Sequence, residues 1–209
     1  MEPRFKANSV VGGQKKIYED LSKHLEGTDI SASAKQLDLA VNRTGAAEIP
    51  FFGTTYLVSR NGVQRSDGKR FSDSIASVLI HYISNGSRSR PAGQFVTFAD
   101  LAGPLFKQGS YSVSALERPI IKRFQGRVPD LITAASSVGG RQDGEAGLGA
   151  VSLIFNLLPN IPLQLIFYDR DEEFPARVTL LFDRNATQII DFEVLAVLVT
   201  IFVQSLIKC

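Results

Sequence analysis

The chain has 209 residues, enough for one large or two small domains with a sizeable core. Its 23 Lys and Arg against 21 Asp and Glu leave a net charge of +2, which singles out no polyanion partner, and 44% hydrophobic with 21% charged residues exclude disorder. One cysteine, Cys209, and two histidines, His24 and His81, exclude a disulfide framework and any self-contained iron–sulfur or zinc site. The residues identify no other cofactor.

The first segment, Met1 to Ser9, has no apolar stretch of the kind a secretory signal needs, so a cytoplasmic chain is expected. Lys15 to Leu25 is spaced as a short helix, with Ile17 and Leu21 on one face. Ser31 or Ser33 caps a second helix expected to run through Val41, with Gly45 as its stop. From Ala47 the texture turns to β. Ile49–Phe52 and Thr54–Ser59 flank Gly53, and Asn61-Gly62 signals a hairpin before Val63.

Ser72 or Asp73 then caps a helix to Asn85, with the apolar stripe Ile75, Val78, Leu79, Tyr82 and Ile83 and with Gly86 past its end. Ser87 to Gly93 is a polar, basic loop, and Phe95–Phe98 a short strand. Helices follow over Val113 to Gln125 and from Pro129. Five glycines between Gly139 and Gly149 read as a connector into a meander of Ala150–Leu158, Pro162–Tyr168 and Arg177–Phe182. Asp191–Ile207 closes the chain as a helix apolar nearly all round. Its 16-residue core from Phe192 reaches only ~24 Å, short of a ~30 Å bilayer core, so a buried helix and no membrane partner are expected.

Strands and helices are segregated, which gives an α+β class with a largely antiparallel sheet, a β-meander packed by helices. The division expected is a helical N-terminal extension over 1–46 and an α+β domain over 47–209.

Several residue groups carry candidate chemistry. Gly144-Glu-Ala-Gly-Leu-Gly149 follows a helix and precedes a strand, the reverse of a phosphate loop, so it reads as a connector. Asp169, Asp171 and Glu173 directly follow the strand ending at Tyr168, and carboxylates there can hold Mg²⁺, Mn²⁺ or Ca²⁺ or form a solvated turn. Asp183 ends the following strand, which in a meander puts it at the opposite rim. His81 lies one turn after Ser77, without the strained turn that a nucleophilic serine needs. With Tyr82, Arg88 and Arg90 it forms the candidate ligand-binding set; the two arginines are placed to meet a phosphate-bearing ligand. Glu117 sits among Leu116, Ile120, Ile121 and Phe124, and Ser114-x-x-Glu117 reads as a capping box. Residues 86–127 carry seven basic and two acidic groups, and 128–209 five and ten. The basic run, Lys107 included, lacks interleaved aromatics, so nucleic acid is not favoured as a partner.

Taken in order, Phe52-Gly-Thr-Thr-Tyr56, Ile80-His-Tyr-Ile83, Pro91-Ala-Gly-Gln-Phe-Val-Thr-Phe98, Asp171-Glu-Glu-Phe-Pro175, Leu181-Phe-Asp183 and Glu193-Val-Leu-Ala-Val197 resemble the family of the domain of unknown function 3786. That family is found largely in anaerobic bacteria and archaea, and some members resemble fusions to a cysteine-rich iron–sulfur segment. The resemblance implies a redox or one-carbon-metabolism setting and a redox or iron–sulfur protein as partner, but no reaction. No cysteine stands in the N-terminal region here, so no cluster is carried over. Two functions are expected on these grounds: a ligand- or protein-binding accessory module, or a metal-dependent enzyme using Asp169, Asp171 and Glu173. The last helix offers one further interface, to other helices or to a second copy of the chain as a homo-oligomer.

Overall fold

The computed structural model describes residues 23, 25–102, 113–145 and 149–209. The expected Lys15–Leu25 helix, apart from its last turn, lies outside the described residues, as do His24, Lys107 and Gly147. The chain divides into two compact units: residues 1–49 with 55–86, and residues 50–54 with 87–209.

The first unit opens with α1, Ile30–Gln36, capped by Asp29 rather than by Ser31 or Ser33; the Asp29 carboxylate accepts from the Ala32 N–H at 3.1 Å. The helix does not continue to Val41. Asp38 takes a left-handed φ of 55°, the Leu39 N–H returns to the Ala34 carbonyl at 2.8 Å, and the Asp38 N–H returns to Lys35. This is a Schellman stop with aspartate where glycine is usual. Ala40–Val41 is instead strand β1, pairing antiparallel with β2, Ala47–Phe51. Gly45 serves the turn between them, where the Asn42 side-chain oxygen accepts from the Thr44 and Ala46 N–H groups.

β3, Thr54–Ser59, and β4, Gly62–Arg65, complete a four-stranded sheet in the order β1-β2-β3-β4. The β3–β4 loop is Arg60–Asn61, one residue earlier than Asn61-Gly62 suggests, because Ser59 pairs with Gly62. Helix α2, Asp73–Asn85, packs on α1 and β4, with Ser72 as its cap. Of the expected stripe, Val78, Leu79, Tyr82 and Ile83 are buried, joined by Ala76 and Ile80. Gly86 is not in the left-handed conformation its place suggests, since φ is −60°. It is needed for space: a Cβ there would stand 2.4 Å from the Tyr82 carbonyl oxygen.

The second unit carries a five-stranded antiparallel sheet in the order β5-β9-β8-β7-β6. Its strands are β5, Phe95–Thr97; β6, Arg141–Glu145; β7, Ala150–Leu158; β8, Ile161–Tyr168; and β9, Arg177–Asp183. The meander is as expected, and the glycine connector contributes an added strand, β6, at the edge. In β8 the even positions are half-buried while Ile161, Leu163, Leu165 and Phe167 are buried, the alternation of a sheet packed mainly on one face. Helices α3, Phe98–Ala102, α4, Val113–Phe124, α5, Val128–Ser137, and α6, Ala186–Ile189, surround the last helix, α7, Phe192–Lys208. α7 packs against β7, α4, α5 and α6, and Phe202 meets Phe155 at 4.7 Å between ring centres. The protein is therefore α+β with antiparallel sheets. Among the described residues no helix is long and apolar enough to cross a membrane.

Candidate functional site

At one end of the second unit's sheet, β8 and β9 are joined by the turn that carries the acidic residues. The last rung of the hairpin pairs Tyr168 with Arg177, and the chain between them holds Asp169, Asp171, Glu172 and Glu173. Burial alternates along both strands, so this rung lies on the half-exposed face, and the Arg177 guanidinium sits over the Tyr168 ring at 4.6 Å. Beside it opens a cleft of about 510 Å³, lined by Gly149, Tyr168, Asp169, Asp171, the Phe174–Ala176 segment and Arg177. That volume falls in the ~300–1,000 Å³ range of small-molecule sites.

The carboxylates are held by the backbone. Asp169 Oδ1 accepts from the Gly126 N–H at 2.8 Å and from the Arg170 N–H at 2.8 Å. Gly126, with φ of 71°, ends α4, so a turn 43 residues upstream fixes this side chain. Asp171 Oδ1 accepts from the Glu173 N–H at 2.8 Å and from the Phe174 N–H at 2.6 Å, and the Asp171 N–H returns to the Phe174 carbonyl at 3.0 Å. This closed turn places Phe174 outward, and its ring remains 66% exposed. Among the described residues no group of three or more His, Cys, Asp or Glu side chains is placed to hold a metal ion.

Asp183 lies at the other end of β9, six residues from Arg177, or ~20 Å at strand rise. It is fully buried and structural: its two oxygens accept from the Ala92, Gly93 and Asn185 N–H groups at 2.8, 2.8 and 2.9 Å. The Asn185 side chain donates to the Arg90 carbonyl at 2.9 Å, and the Ser87 hydroxyl donates to the Gln188 carbonyl. The loop bearing Arg88 and Arg90 is thus pinned through its backbone, with both arginines exposed.

His81 and Tyr82 belong to the first unit, whereas Arg88, Arg90 and the acidic turn belong to the second. His81 is half-buried, with Nδ1 3.4 Å from the Asn85 side-chain amide one turn on, and Tyr82 is wholly inside the core.

Glu117 departs from the capping-box reading. Its half-buried carboxylate accepts a hydrogen bond from the Leu180 backbone of β9, and burial, only partly offset by that bond, raises its pKa. β5 pairs with β9 only over Leu181 to Asp183, so Leu180 lies just past the end of that pairing. Glu117 supplies the acceptor there. The Ser114 side chain lies outside the described side chains.

Sequence reasoning found the acidic turn but missed Phe174, the Tyr168–Arg177 rung and the Gly126 contact. The rung had a signal: Tyr168 and Arg177 flank the turn symmetrically, and a hairpin must pair such residues. The Gly126 contact had none, since nothing local links it to Asp169.

No curated protein and no solved structure matches the chain. A family model does, over residues 29–205, and with most of both units inside that match the chain belongs to the family described as domain of unknown function (DUF3786).

Proposed function

We propose that the protein is a non-catalytic binding module and that the β8–β9 cleft is its ligand site. The observation that carries this reading is Phe174, a large apolar ring 66% exposed at the end of a closed, hydrogen-bonded turn beside the cleft. Holding such a ring in water has no benefit for folding, and here it lines, with Pro175 and a few polar groups, a concave cleft of the size small molecules occupy. The redox or one-carbon setting and a redox or iron–sulfur partner are the context that the resemblance supplies for this module. A thermal-shift screen of small aromatic compounds tests the reading. Stabilisers of the parent protein are expected, and Phe174→Ala should abolish their effect while melting at the parent temperature without ligand. Steady turnover of a defined substrate, lost on a point substitution in the cleft, would contradict it.

A further inference from the structure

We propose that the ligand of this cleft is a small organic cation, an ammonium or guanidinium carried on an apolar body. This rests on the binding-module reading and adds the ligand's charge to it.

Two aspartates and an exposed ring meet at the cleft, and the state of each aspartate matters. Asp169 and Asp171 both use Oδ1 for two backbone N–H groups, so their orientation is set before any ligand arrives. Their Oδ2 atoms accept no hydrogen bond among the described residues. An ionised carboxylate only accepts, so the complementary ligand group is a donor. The charge around the cleft has the same sense. Residues 169–177 hold four acids and two bases, Arg170 and Arg177. Arg177 lies against the face of the Tyr168 ring and forms no ion pair with either aspartate among the described residues.

A bare divalent ion fits poorly, because it wants about six oxygens and no group of three ligating side chains is placed for it among the described residues. An organic cation needs fewer acceptors and uses the remainder of the lining. Its N–H groups meet the aspartate Oδ2 atoms, and its apolar body covers Phe174 and Pro175.

The test uses three probes with one body: phenethylammonium, phenethyl alcohol and hydrocinnamate, titrated into the full chain by calorimetry at low salt. Phenethylammonium is expected to bind roughly five- to tenfold tighter than the alcohol, with hydrocinnamate weakest. The advantage should shrink as salt is raised. Asp169→Asn and Asp171→Asn should each reduce it, since an amide oxygen keeps both backbone bonds and removes only the charge. Phe174→Ala should weaken all three probes alike. Equal affinity for ammonium and alcohol, or tightest binding of hydrocinnamate, overturns the proposal and leaves the binding-module reading standing. If none of the three binds, the proposal also fails, and the aromatic screen decides the binding-module reading separately. Because the probe series reads the parent protein, the outcome does not depend on how any variant folds.

Discussion

Glu117 and Asp183 are buried or half-buried acids, and backbone hydrogen bonding explains both. For Glu117, burial raises the pKa above its ordinary value of 4.5. The folded state therefore holds this proton to higher pH than the unfolded chain does, and its contribution to stability falls as pH rises through the window above 4.5. Glu117→Gln keeps an acceptor for Leu180 and removes that titration. Urea denaturation should find this variant gaining on the parent as pH rises from about 4 to 7. Glu117→Ala strands the Leu180 N–H and should cost about 1–3 kcal/mol. Asp183 makes the larger prediction. Three backbone N–H groups converge on its buried carboxylate, so Asp183→Ala removes their shared charged acceptor and should cost about 3 kcal/mol, with the 87–93 loop losing hydrogen-exchange protection. An unchanged melting curve would show that water replaces the carboxylate.

At the scale of elements, α7 stands out. Leu195, Leu198, Val199, Phe202 and Leu206 are all buried, and the helix touches β7 on one side and α4, α5 and α6 on others. Each large side chain fully buried contributes about 1.5–3 kcal/mol, a large share of a domain's marginal stability. Truncation after Asp191 should leave an unfolded or insoluble chain, and Leu198→Asp should do nearly the same by putting an unpaired charge in the core. A truncated protein that stays in solution and melts cooperatively at the parent temperature would make the helix peripheral. The α1 stop gives a gentler test. Asp38 occupies a left-handed position that glycine fills without strain, so Asp38→Gly should hold the folding free energy or raise it by up to ~1 kcal/mol, read by urea denaturation. Where apolar spacing is strong, as in α2, β7, β8 and α7, it gives elements close to those observed. It fails where another force decides. Asp38 ends α1 without a glycine, and β6 is polar and glycine-bearing because it is an exposed edge with an irregular register to β7. The acidic turn was legible as a turn, but its cleft depends on Gly126 and Gly149, which lie far from it in sequence.

For the whole molecule, the division into two units separates the candidate groups. His81 and Tyr82 go with the four-stranded sheet, and the cleft, the pinned arginine loop and α7 go with the five-stranded sheet. The described lining residues of the cleft all come from the second unit: the β8–β9 hairpin gives the rung, the Asp171 turn sets out Phe174, and the turn after α4 orients Asp169. On the proposed reading, the groups that would meet a ligand are Asp169 and Asp171, held by backbone N–H groups, and the exposed Phe174. The proposed ligand site is the β8–β9 cleft. Amide chemical-shift mapping during a phenethylammonium titration tests it most directly. Saturable shifts concentrated at Gly149, Tyr168, Asp169, Phe174 and Arg177, and saturating only at higher concentration in Phe174→Ala, are the predicted result; saturable shifts centred on His81 or on Arg88 and Arg90, with the cleft amides unmoved, would contradict it.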